Sequence, residues 1–367
     1  MRPPEKVLAS IVESGLRAPS AENKHYLQFE FARDSVTLLT TDADTWVAAP
    51  HRKMLALLAY GAVIENMQLG SASLGLAMNV ALYPHPERPN AIAEFRWSRP
   101  ETPVAADPLA QAVATRHTNR RFYRRGEVGA PLRARLDAAA AAVTTARLDW
   151  LDERARRALA LRAIRLAETE RFVGHRLHEE LFGAVRFERG WRAATDEFLA
   201  PASLEVEPPM RPGFAALRHP RVMRLAGWFG AHHLLGWRAG YLPAVSAPLL
   251  GLIWASGPPD EAAIAAGRAF QRVWLAATVE GLALQPMAAT TALARQTAGD
   301  GWVRPEPQSR LRAALQTLQA GRPDEAYMLF RIGRAAAPSA VAGRRPWRDY
   351  LVAGPEAQAL AGGSVAE

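Results

Sequence analysis

Apolar and polar positions along the chain alternate in period often enough to predict a sequence of helices and strands. Residues 5 to 18 are expected to form a first helix, and EFARDSVTLLTT supplies a strand region after it. A helix carrying Gly61 comes next, and MNVALYP gives another strand. The proline-rich run WSRPETPVAADP reads as a linker. Beyond it the pattern predicts a short helix from Pro131, a long amphipathic helix opened by Asp152, and a buried strand at APLLGLIWAS. A helix carrying Gly267, a further segment from 306 to 320, the strand AYMLFRIG and the basic GRRPWRDYL close the ordered chain. Residues from about 188 to 245 are less regular, rich in tryptophan, proline and glycine, and have no counterpart in the shorter first half. They are read as a lid-like insertion.

Two of these helices repeat one another. GAVIENMQLGSASLGLAMNV from Gly61 lies over GRAFQRVWLAATVEGLALQP from Gly267 without gaps, matching Gly61 with Gly267, Leu69 with Leu275, Gly75 with Gly281, and Leu76-Ala77 with Leu282-Ala283. Each helix ends at a glycine before a short apolar segment, as a left-handed cap before a strand requires. Chance similarity between two alanine-rich helices is the rival explanation; the matched glycine interval favours duplication.

Composition narrows the function classes. A chain of 367 residues, 49% hydrophobic and 22% charged, can bury one large core or two ordinary ones. The net charge of +9 invites a polyanion partner, but the basic residues are nearly all arginine and are interleaved with acids along the chain, so nucleic acid is not the expected partner. With no cysteine, disulfides, zinc-thiolate sites and thiol nucleophiles are excluded. The amino terminus lacks the apolar core of a secretory signal, and the longest uncharged stretch is broken by Pro243 and Pro248. A cytoplasmic chain with no membrane span is therefore expected. His232 and His233 are adjacent and diverge on a helix, which makes them poor metal chelators and better packing or interface residues. No metal site is expected.

The most chemically specific stretch is TRHTNRR at residues 115 to 121. In an extended segment Arg116, Thr118 and Arg120 share one face, and guanidinium forks with a hydroxyl match phosphate oxygens. Taken alone, a solvated arginine-rich turn remains open as the plainer reading.

Four stretches in order, LRAPSAEN, TRHTNRR, ATVEGLALQPM and FRIGRAAAPSAVAGRRP, resemble the tandem nitroreductase-like flavoproteins, the Acg-type branch of the nitroreductase superfamily. The resemblance covers roughly residues 5 to 350. It implies an α+β nitroreductase-like fold in two copies, residues 1–105 and 106–350, forming an intrachain pseudo-dimer, with 351–367 as a tail. It implies one FMN per chain, held by Arg116, Thr118 and Arg120, by Pro19, Ser20 and Asn23 from the opposite half, by Glu280 and Gly281 near the flavin N5, and by Arg344 and Arg345 at the phosphate. No catalytic side chain is implied, because the hydride passes through the flavin. The activity implied is transfer from NADH or NADPH to a quinone, nitroaromatic or flavin acceptor by two separate half-reactions; flavin storage with little turnover is the alternative. Either a monomer or a homodimer is compatible.

Each assignment has a plainer rival. Pro19 and Ser20 could only stop the first helix, Glu280 could be a solvated residue on a last turn, and Arg344 with Arg345 could be a surface pair. The pattern also departs from the family, since Asn23 is followed by Lys24, His25 and Tyr26 where many members continue with Gln-Pro-Trp. The chain start offers only Arg2, Pro3, Pro4 and Glu5 for a second phosphate motif, and Leu74 stands where the later helix has Glu280.

Overall fold

The computed structural model of the protein describes residues 3–102, 105–296 and 301–352. Helix α1 (Glu5–Leu16) buries Leu8, Ile11, Val12 and Leu16, the spacing of one helical face. The predicted strand region is a hairpin, β1 (Leu27–Phe31) with β2 (Val36–Thr40), turned between Phe31 and Val36. Helix α2 (Pro50–Ser73) begins well before Gly61, with a proline in its first turn where the missing N–H is no loss. It stops at Gly75, whose φ of 71° turns the chain into β3 (Ala77–Leu82). Strand β4 (Ala91–Ser98) completes the first sheet.

In the second half α3 (Ala130–Ala141) leads to β5 (Ala146–Trp150), then α4 (Arg154–Val173) and α5 (His175–Gly183). The irregular stretch folds as short helices, α6 (Arg211–Ala216), α7 (Pro220–Trp228), α8 (Ala231–Gly236), a π-helical turn at Trp237–Tyr241, and α9 (Leu242–Ser246). There follow β6 (Leu249–Ala255), α10 (Pro259–Val279), β7 (Ala283–Pro286), α11 (Ala289–Ala294), α12 (Pro305–Gln319) and β8 (Glu325–Gly333).

The two four-stranded sheets have the same antiparallel order, β1-β2-β4-β3 and β5-β6-β8-β7. In each, the glycine-ended helix leads into the third strand of its half, and Gly281 (φ 65°) repeats Gly75. Their surroundings differ. Along β6, Leu249, Ile253 and Ala255 enter the core shared with α2 and α10, while Leu250, Leu252 and Trp254 enter a second core under α4 and α12. Burial on both faces is why this strand reads as an unbroken apolar run.

Several expectations need correcting. Strand β4 alternates buried Phe95 and Trp97 with outward Arg96 and Ser98, so the run taken as a linker begins inside a strand; Trp97 is locked there by its Nε1 donating to Ser71 Oγ at 2.9 Å. Strand β5 was not expected, because its short ARLDW sequence carries Arg147 and Asp149 and none of its residues is fully buried. Asp152 does not open α4: it accepts two hydrogen bonds from Arg133, and Glu153 occupies the N-cap. The ordered chain runs past the expected tail boundary, since Val352 N donates to Phe29 O at the open edge of β1. The remainder of the tail, Arg2, and Pro103 and Val104 of the linker lie outside the described residues.

The halves meet where α2 crosses α10, glycine to glycine. A Cβ on Gly61 would stand 2.1 Å from Ile264 O, and one on Gly267 would stand 2.1 Å from Leu58 O. Both atoms are helix backbone and cannot move aside singly. Replacing either glycine with alanine is expected to force the helices apart at a cost of about 1–3 kcal/mol or more, read as a lowered urea midpoint. Gly183→Ala, where a Cβ meets nothing within 4 Å, should leave the midpoint unchanged or slightly raised.

Candidate functional site

Helix α1 ends with carbonyls that no helical N–H can reach. Guanidinium groups from distant segments take them. Arg116 Nη2 donates to Arg17 O at 2.8 Å, and Arg344 donates through Nε to Leu16 O at 2.7 Å and through Nη2 to Ala18 O at 2.8 Å. The chain then turns through Ser20–Asn23 with Glu22 (φ 54°) and Asn23 (φ 56°) both left-handed, a strained arrangement for two successive non-glycine residues. Asn23 holds the turn in place: its Nδ2 donates to Asp196 O and Phe198 O, and its Oδ1 accepts from Arg344 Nη1 at 2.5 Å.

Arg116 lies over the Trp274 ring, 4.3 Å from its centroid, and is buried there. The segment after it runs beside β7, with Asn119 N donating to Leu284 O and Thr118 bridged to Leu284. Arg120 turns inward, its Nη1 donating to Ser203 O at 3.1 Å. Pro19, Ser20, Asn23, Arg116, Thr118, Arg120 and Arg344 all line one cavity of about 90 Å³, closed on the insertion side by Leu199 and Ser203.

The cavity carries an excess of positive charge. Among the described residues no carboxylate stands within ion-pair distance of Arg116, Arg120 or Arg344. Burial, reinforced by Arg344, pushes the Arg116 guanidinium down to about 9; burial, reinforced by Arg171, takes Arg120 to about 10; and burial takes Arg344 to about 10. All three stay charged at neutral pH. Glu22 also lines the wall, but Lys24 at 3.1 Å and Arg171 at 3.4 Å take its charge. Two buried polar atoms, Ser20 Oγ and Arg116 Nε, have no hydrogen-bond partner. Unpaired cations with unused donors are the chemistry of an anion site.

Three expected residues are not brought there. Glu280 ends α10 and forms a bidentate pair with Arg135 of α3, and neither it nor Gly281 lines the cavity; the glycine's left-handed φ serves the turn into β7. Arg345 points away from Arg344, stacking on Tyr350 at 4.7 Å and facing Glu197 at 3.8 Å. Conversely, Trp274, Ser203 and His25 were not anticipated. His25 is buried against Ala18 O at 3.4 Å, and burial together with the field of Arg344 lowers its pKa to about 3. Only Trp274 left a sequence signal, as an aromatic residue two helical turns beyond Gly267.

No family model matches the chain. It is 29% identical over 178 residues, covering 48% of this chain and 53% of the relative, to a Mycobacterium tuberculosis protein named "Putative NAD(P)H nitroreductase acg". A second Mycobacterium tuberculosis protein, uncharacterized protein MT1398, is 26% identical over 359 residues, 93% of this chain and 48% of the relative. The chain thus spans about half the length of these curated relatives. Among solved structures, an FMN-bound nitroreductase of Bacteroides fragilis superposes with a TM-score of 0.32 at 14% identity over 63% of this chain and 89% of that one. The FMN-dependent nitroreductase NfnB of Mycobacterium smegmatis, in complex with NADPH, gives 0.32 at 18% identity over 62% and 89%. Superpositions that loose fix no residue's role. On sequence, then, about half of the chain is similar to a protein named as an Acg nitroreductase.

Proposed function

We propose that the chain is an FMN-dependent NAD(P)H oxidoreductase of nitroreductase type, and that the arginine-lined cavity holds the FMN phosphate. The observation that carries this is that Arg116, Arg120 and Arg344, from segments far apart in the chain, line one cavity with Ser20 and, among the described residues, form no ion pair with a carboxylate. The name of the sequence relative agrees with it. A phosphate monoester fits the donor set: Arg116 Nε and Ser20 Oγ need acceptors, and Arg120 lies on the same wall. At about 90 Å³ the cavity is small against the ~300–1,000 Å³ of a whole-ligand pocket. It accommodates the phosphate end, and the ring would lie outside it.

When bound, the flavin supplies hydride acceptance and donation. The chain's own residues orient it: Arg116 is fixed by Trp274 and Arg17 O, and Arg344 by the α1 carbonyls and Asn23. Two sheets of equal order joined across α2 and α10 support the pseudo-dimer reading, with Pro19, Ser20 and Asn23 from one half facing Arg116 from the other. NADH or NADPH is the donor in this reading, and a quinone, nitroaromatic or second flavin the acceptor. Flavin storage with little turnover is the second reading, favoured by one observation: Leu199 and Ser203 of the insertion wall the cavity and narrow access.

The purified protein should be yellow, with FMN released on denaturation. Arg116→Ala and Arg344→Ala should each weaken FMN binding roughly 10–100-fold, the value of a charge-assisted hydrogen bond, measured by titration with flavin fluorescence. Unaltered affinity in both variants would defeat the assignment. Anaerobic NADH or NADPH should bleach the flavin on the seconds scale of catalysis; bleaching by dithionite alone would select storage.

His25 gives a pH signature. Its folded pKa lies below the unfolded value, so between about 6.5 and 3 the unfolded chain binds the extra proton and stability falls as pH falls. The slope from this one group is about 1.4 kcal/mol per pH unit. In urea titrations across that window His25→Phe should remove this group's share of the slope and leave the carboxylates' share. Added phosphate or FMN should also shallow it, because an anion between Arg344 and Arg116 weakens the field opposing protonation.

A further inference from the structure

Over the whole chain basic and acidic residues are interleaved, but between Glu207 and Asp260 the sequence contains no acidic side chain, while Arg211, Arg218, Arg221, Arg224 and Arg238 all fall there. The insertion's helices α7 and α8 lie within this stretch. Helix α7 has two apolar sides. Met223 faces inward, packed with Phe172, Leu181 and Phe182. Val222, Leu225 and Trp228 run along the other side at 39%, 55% and 78% exposure, continued by Phe229 at 86% and by Leu234 of α8 at 56%. Arg221 and Arg224 are exposed on the same helix, and no described carboxylate pairs with them or with Arg218. Arg238 is the member of the set that does find one, Glu207.

The platform beneath is closely packed. Gly236 and Gly240 press the α8 and π-helical turns onto α4 so closely that a Cβ would stand 2.2 Å from Thr169 Oγ1 and 2.7 Å from Glu168 Cγ, respectively. An outward row of tryptophan, phenylalanine and leucine, edged by arginines and held on a packed base, matches an amphipathic element that lies in a membrane interface. The aromatic rings suit the headgroup boundary, and the arginine stems can lie on apolar surface while their heads reach phosphate.

We propose that α7 and α8 form a docking surface for an anionic lipid bilayer. Charge complementarity selects this occupant. A second copy brought face to face would set one row of unpaired arginines against another, and a nucleic-acid duplex offers phosphates but no layer to receive Trp228 and Phe229. Among the described residues no helix is long and apolar enough to cross a membrane, so the association is peripheral. It does not depend on the flavin reading.

The full chain should be sedimented with vesicles of phosphatidylcholine alone and of phosphatidylcholine mixed equally with phosphatidylglycerol. Binding to the mixed vesicles is expected to be on the order of 100-fold tighter, from three unpaired arginines, and to weaken with added salt. The double variant Trp228→Ser, Phe229→Ser should lose at least about 10-fold of that affinity, and Arg221→Gln with Arg224→Gln should lose the preference for the anionic lipid. These residues are exposed, so folding is not at stake. The proposal falls if the mixed vesicles do not bind the protein or bind the serine variant equally well. It also falls if the wild type is a dimer in sedimentation velocity that the serine variant dissociates, which assigns the face to a second copy. Duplex DNA binding as tightly as the vesicles, with the serine variant unaffected, would reduce the surface to a general polyanion contact and overturn it as well.

Discussion

The close crossing of α2 and α10 at Gly61 and Gly267 determines where everything else can sit. With no side chain at either glycine, the two helix backbones come into direct contact, and the polar groups around the crossing pair off in the gap. Glu65 receives Arg268 at 2.9 Å and Arg272 at 2.7 Å, and Gln271 donates to Asn66. Seven residues beyond Gly267, on the same side of α10, Trp274 presents the surface on which Arg116 lies. From the other helix, Asn66 donates to Ser14 O, and Met67 packs against Gly15, which fixes α1 and therefore the carbonyls at its end. One helix thus carries the support for the arginine and the other positions its acceptor, and their separation is set at the glycines.

The end of α1 explains how such a cluster of cations is tolerated. Arginines buried without carboxylates cost desolvation that an ion pair would ordinarily offset. Here Leu16, Arg17 and Ala18 offer carbonyls at the negative end of a helix, which favours cations without cancelling their charge. The guanidiniums are held in place, yet they retain net charge and, at Arg116 Nε, an unused donor. A carboxylate in the same place would have occupied the donors that an incoming anion needs.

How much of this could be read from the chain depended on whether a feature was local. The glycine-ended helices were legible, because a repeated interval and a left-handed cap are written in adjacent residues, and the pair then proved to be in contact with each other. Arg116, Arg120 and the Ser20–Asn23 turn were legible as a set only through the ordered stretches of the resemblance. Strand β4 was partly visible in the alternation of Phe95 and Trp97 with Arg96 and Ser98, but the neighbouring prolines drew the boundary too early. Glu280 and Gly281 end a helix outside the cavity, and the sequence could not announce that Arg135, far off in the chain, pairs with that glutamate. Ser203 contributes a backbone carbonyl, which no side-chain pattern can announce.

The two halves agree in strand order but diverge after their fourth strands, and that divergence makes the cavity. From β4 the chain runs by way of Asp107, which anchors Arg272 of α10, to Arg116 and Arg120. From β8 it meets that earlier segment at once, with Arg124 N donating to Arg334 O, and then crosses to lay Arg344 against α1. Val352 finally reaches the edge of β1 in the first sheet. The two segments therefore converge instead of repeating one another's course. The insertion completes the enclosure from the second half, where Asp196 and Phe198 grip Asn23 while Arg120 grips Ser203. Shared helix packing brings the halves together, and the cavity is built from the parts in which they differ.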